Sequence, residues 1–170
     1  MIVSLSVSYF IRFAKALTVL FFGLYVTLVA FGNITDYNTN FQFVKHVLSM
    51  DTTFPGNNIM YRAITSPAIH HLAYLAIIVT EAVTAVICVW GGIRLFKNLN
   101  ADTETFVRAK SIGMIGLILG LCIWFFGFQV VGGEWFGMWM SEEWNGLFPA
   151  DRLTTYIMAV LIFLSLKNDD

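Results

Sequence analysis

Four apolar runs, each close to the length that crosses a bilayer, leave this 170-residue chain little choice of fold. The first covers Ala16 to Phe31, behind Arg12 and Lys15, and the others run from His70 to Leu95, from Ile112 to Val131 and from Leu153 to Leu166. A hydrocarbon core about 30 Å thick takes roughly 20 helical residues. Inside it a segment must satisfy its own backbone amides, so each run predicts a helix. The first apolar core exceeds the roughly 7–15 residues of a signal peptide and reads as a span. The last reaches span length only when extended from Ala150 to Asn168. Pro149 suits its first turn and Pro67 can open the second helix, since proline there loses no intrahelical bond.

The expectation is therefore an all-α polytopic bundle of four transmembrane helices, with short interfacial helices in the outer loops. Its spans fall near 12–32, 70–95, 111–131 and 150–168, in one membrane domain over 1–170. Composition agrees: 58% of residues are hydrophobic and 12% charged, against roughly 25% charged in a soluble domain. A net charge of -1 with scattered basic residues argues against a nucleic-acid partner. Cys88 and Cys122 lie in apolar runs at no metal or redox spacing and read as small buried hydrophobes.

Orientation follows from the basic residues. With the N-terminus inside, Arg12, Lys15, Arg94, Lys97, Arg108, Lys110 and Lys167 are cytoplasmic, and only Lys45, Arg62 and Arg152 are external. That excess predicts both termini on the cytoplasmic side.

The outer loops carry most of the chemistry. In the first, Phe41, Val44 and Leu48 follow an asparagine cap at helical spacing and predict a short interfacial helix. Asp51 then stands before a Pro-Gly-Asn-Asn turn, placed to accept nearby backbone N–H groups. In the second, Trp135, Trp139 and Trp144 lie beside Glu134, Glu142 and Glu143. Tryptophan favours the headgroup region, so this segment predicts an interfacial anchor or a docking surface for a lipid, quinone or partner.

Inside the membrane two helix faces stand out. Gly113, Gly116, Gly120 and Gly127 share a sector of about 60° at 100° per residue, a surface for close helix packing within this chain or against another. On the second span His70, Tyr74, Glu81 and Cys88 fall within about 40° of one another, with Thr84 on the flank. Glu81 is the most informative residue, because a charge at mid-membrane costs roughly 2.5–3.5 kcal/mol and must face protein. Two readings stay open for it: a packing device bonded to a neighbouring helix, or a ligand or proton site with His70 as outer relay. Below Glu81 the stripe offers only Thr84 and Cys88, too little for a transmembrane proton wire.

All three histidines, His46, His70 and His71, fall on the outer side. His70 and His71 diverge by about 100° on one helix, so a haem or metal site would need His46 from the loop. No metal ligand set is predicted and no cofactor is assigned. Catalytic fingerprints such as G-x-S-x-G, S-x-x-K, H-E-x-x-H or a P-loop do not occur, which speaks against an enzyme.

The blocks His46-Val47-Leu48-Ser49-Met50-Asp51-Thr52-Thr53-Phe54-Pro55, Gly133-Glu134-Trp135-Phe136-Gly137-Met138-Trp139 and Trp144-Asn145-Gly146 resemble a bacterial family of predicted small integral membrane proteins of unknown function. Met140 departs from the glutamine expected there. The resemblance implies a four-helix bacterial membrane protein and carries over no substrate, cofactor or catalytic residue; the orientation read from the basic residues then predicts an inner-membrane protein with its larger loops in the periplasm. The reading preferred on sequence is an accessory or scaffold subunit that meets lipid and other membrane subunits through the glycine face and the tryptophan loop. The alternatives are a protein that binds or moves a small hydrophobic ligand (lipid or quinone) or proton, with candidate residues Glu81, His70, Tyr74, His46, Asp51, Glu134, Trp135 and Trp139, or a haem or metal protein using the outer histidines.

Overall fold

A computed structural model describes residues 6–169. Helix α1 (Val7–Thr35) is capped by Ser6, whose hydroxyl accepts the Tyr9 N–H at 3.2 Å. After a break at Asp36, α2 (Tyr37–Ser49) follows, and α3 (Pro67–Lys97) opens on its proline. Helix α4 (Thr103–Leu121) is capped by Asp102 and continues as a wider π-helical segment (Cys122–Trp135) before α5 (Leu147–Ser165). The long elements alternate in direction, giving an up-down-up-down bundle in which α1 packs along α3, α3 along α4, and α5 closes against α4 and α1. Four of them, with the π segment counted as part of α4, are long and apolar enough to cross a membrane, and the described residues form no strand.

The spans are where the apolar runs predict but longer at most ends. Caps at Ser6 and Asp102 start α1 and α4 a turn or more ahead of the apolar residues. The fourth helix is displaced instead of lengthened: it starts at Leu147, with Pro149 in its first turn, and ends at Ser165, so residues 166–168 form a non-helical tail. The interfacial helix is also present as α2, although its N-cap is Asp36, which makes no side-chain capping bond, and not an asparagine. Phe41 and Val44 on α2 pack with Tyr74 and Ile78, which lays α2 along the N-terminal half of α3.

Glycines let the helices approach at the end away from α2. A Cβ on Gly91 would sit 2.6 Å from the backbone nitrogen of Gly113, one on Gly92 2.9 Å from Leu20 Cα, and one on Gly116 would collide with Cys88 Sγ. Gly113 and Gly120 meet Val19, Phe22, Ile157 and Leu164, so this glycine face is filled from within the chain. Gly127 departs from it. A Cβ there would meet only the Cys122 carbonyl oxygen, at 3.4 Å, because the register of 100° per residue lapses where the π segment begins.

The end where α1 starts is closed by an ionic cluster that the hydropathy pattern conceals. Lys15 Nζ donates to Asp169 Oδ1 at 2.8 Å, Lys110 Nζ donates to Asp169 Oδ2, and both donate to the Leu166 carbonyl. Arg12 donates through Nε to the Asp169 carbonyl at 2.8 Å and through its other nitrogens to Leu99 O, Ala101 O and Thr103 Oγ1. Its guanidinium lies 4.9 Å from the centre of the Phe106 ring. Three of the seven basic residues that set the predicted orientation are thus interior ligands of the C-terminal tail.

Candidate functional site

At the opposite end the bundle is open. The polar face of α3 is interior as predicted: His70, Tyr74, Glu81, Thr84 and Cys88 are all buried. The three-, four- and seven-residue steps that align them also align them against α1, whose C-terminal turn supplies Asn33. Asn33 Nδ2 donates to Glu81 Oε2 at 2.7 Å, and Tyr74 donates its hydroxyl to the Asn33 carbonyl at 3.2 Å. Glu81 is 2% exposed, and its other oxygen, Oε1, takes no hydrogen bond among the described residues.

Glu81 lines a chamber of about 260 Å³ whose other walls include Asn33, Asn40, Phe43, Tyr74, Trp124 and Phe128. Beside it, between α2, α3 and the π segment, runs an apolar groove of about 360 Å³. Four residues, Phe43, Val44, Ile77 and Phe128, line both, and the Phe43 and Phe128 rings stack at 5.9 Å across the partition. The groove also reaches Ala76, Cys122 and Phe126, all exposed and all within spanning helices, so it opens sideways at the depth of lipid. Cys122 is accordingly exposed, not buried as its apolar surroundings suggest, whereas Cys88 is buried.

The π segment forms one wall of this groove. Its N–H groups reach five residues back, as Phe136 N–H does to Val131 O at 3.0 Å. Such winding is rare and concentrates at functional sites. It brings Ile123, Gly127, Val131 and Gly132 to the groove and carries helix through Trp135, residues expected to begin the outer loop. Gly137, with φ +63°, then turns the chain away.

The remaining candidates stand apart from Glu81. His70 Nε2 is bonded to the Ile64 carbonyl at 2.7 Å, so this histidine secures the loop entering α3 and makes no bond to the acid. His71 stacks on Phe41 at 4.0 Å and meets the Tyr37 hydroxyl through Nδ1 at 2.9 Å. His46 pairs through Nδ1 with Asp51, at 2.8 Å to Oδ2, and stacks on Trp144 at 4.7 Å. Asp51 thus takes a side-chain partner in place of the expected backbone N–H groups. Glu134 is exposed, and the Trp135 ring carries the Arg62 guanidinium at 4.7 Å. Trp139 meets Phe54 edge-on at 6.0 Å. The described residues hold no cluster of three or more His, Cys, Asp or Glu able to grip a metal ion.

Sequence reasoning found Glu81 and Tyr74 but not Asn33, Asn40, Phe43, Trp124 or Phe128. The available signal was an asparagine one turn from the end of an apolar helix, a polar group at a depth where an opposing acid could be its partner.

The family described as "Predicted small integral membrane protein (DUF2165)" matches residues 11–167, all four apolar helices but for the first turn of α1, with the segments between them. The chain belongs to this family. Its description matches the four apolar helices, and the chain is an integral membrane protein in contact with lipid. No curated protein and no solved structure matches it.

Proposed function

We propose that this DUF2165 protein binds a small, largely apolar molecule drawn from the bilayer, with the groove taking its body and Glu81 its polar end. One observation carries the reading: a buried carboxyl group keeps an unpartnered oxygen beside a void, and that void shares its walls with a groove open to lipid. That oxygen is open to the void, so whatever fills the void can supply its partner. Apolar walls with a few converging polar groups are the usual make-up of a small-molecule site. With the termini cytoplasmic, as the basic residues predict, the site lies in the outer half of a bacterial inner membrane.

The accessory-subunit reading loses one of its two contact surfaces, since the glycine face is occupied within the chain. It keeps Trp135 and Trp139, which are 51% and 46% exposed. Native mass spectrometry after gentle detergent extraction distinguishes the two. A lipid-soluble molecule at fixed stoichiometry, lost from Ala76→Trp with thermal stability unchanged, is the expected result. A protein partner at fixed stoichiometry with no bound small molecule in the wild type would overturn the ligand reading.

A further inference from the structure

We infer that the chamber beside Glu81 selects a hydrophobic ammonium ion over a neutral or acidic molecule of the same shape. This rests on the ligand reading above and names the chemistry of the ligand's polar end. Four aromatic side chains, Phe43, Tyr74, Trp124 and Phe128, contribute to the wall of one chamber of about 260 Å³, and they come from α2, α3 and the π segment. Aromatic faces carry negative potential and attract ammonium groups, most strongly where water is excluded. Glu81 adds a carboxyl group to the same wall.

No lysine, arginine or histidine lines the chamber, and Glu81 forms no ion pair among the described residues. Its one bond, from an amide, brings no positive charge to the carboxyl group, at a depth where ionising it alone is expensive. The same chain matches its other buried carboxylate, Asp169, with two lysines. The missing cation is what an ammonium ligand supplies. An acidic ligand would instead set two carboxyl groups side by side, which disfavours ionising both. The remaining polar side chains of the wall, Asn33 and Asn40, carry amide oxygens that suit an N–H donor on the ligand.

The apolar groove bounds the rest of the ligand. Its shared walls let an alkyl or aryl substituent pass from the chamber towards lipid, so the class is an amine or quaternary ammonium bearing a hydrophobic arm.

The test uses two probes of one shape in nanodiscs of zwitterionic lipid: benzyltrimethylammonium and its uncharged carbon analogue neopentylbenzene, with binding read by saturation-transfer NMR. The wild-type protein is expected to hold the cation at least about tenfold more tightly than the analogue. Glu81→Gln should lower that preference about threefold or more, to what the aromatic walls alone supply, while leaving the analogue's affinity unchanged. Phe128→Leu, which keeps the acid, should lower the preference about threefold or more. Equal affinity for the two probes in the wild type would overturn the ammonium inference and leave the apolar-ligand reading standing. If neither probe binds and Ala76→Trp releases no native molecule, both fall.

Discussion

Asp169 and Glu81 are buried to nearly the same degree, 1% and 2% exposed, yet their surroundings are opposite. Asp169 meets Lys15 and Lys110 through its two carboxylate oxygens, and Arg12 holds its backbone carbonyl, in a socket packed against Phe106 and Phe163. Glu81 has one amide donor and a cavity. Along α1 their partners Lys15 and Asn33 are separated by about 27 Å, at 1.5 Å per residue, so the contrast spans nearly the whole bundle. A saturated buried ion cluster orders the chain around it, because breaking it strands charge. A carboxyl oxygen left open to a cavity adds nothing to folding and is explained more readily by something outside the chain. The closed end is built for integrity and the open end for occupancy.

The sharpest way to break this comparison is at the closed end. Asp169→Asn leaves Lys15 and Lys110 without a counter-charge, and a loss of about 3–5 kcal/mol is expected in denaturant titrations of the micelle-bound protein. A change below about 1 kcal/mol would mean that the tail is not integral to the bundle. Next in size is Gly91→Ala, whose Cβ meets Gly113 backbone that cannot rotate away. It should cost about 1–3 kcal/mol in the same assay. Glu81→Gln keeps an oxygen for Asn33 and removes an acid that has no counter-charge, so its effect on unfolding should stay within about 1 kcal/mol and can be stabilising. A loss as large as that of Asp169→Asn would make Glu81 a structural residue and erase the contrast. The smallest effect belongs to Gly127→Ala, whose added methyl meets only the Cys122 carbonyl oxygen, at 3.4 Å, within about 0.5 kcal/mol.

Much of this was legible before any coordinates. Glu81 and the stripe of His70, Tyr74 and Cys88 could be aligned by helical periodicity alone, because α3 is regular throughout. Gly113, Gly116 and Gly120 were legible for the same reason. Gly127 was not, because periodicity assumes one winding and the helix changes winding at Cys122. The chamber was illegible for a different reason: Asn33, Phe43 and Phe128 stand far from Glu81 in the chain, and only the antiparallel return of the helices brings them to it.

The ionic cluster shows the same division. Arg12, Lys15 and Lys110 look like flanking charges at helix ends, the pattern that sets orientation. Nothing local distinguishes them from solvated lysines and arginines until α5 delivers Asp169 between them. Sequence alone determined that the chain is an α-helical membrane protein of four spans, because lipid forces each apolar segment to satisfy its backbone within itself. Tertiary structure alone decided which buried acid is neutralised and which faces a void, because that depends on which side chains of distant helices share one depth and one side of the bundle.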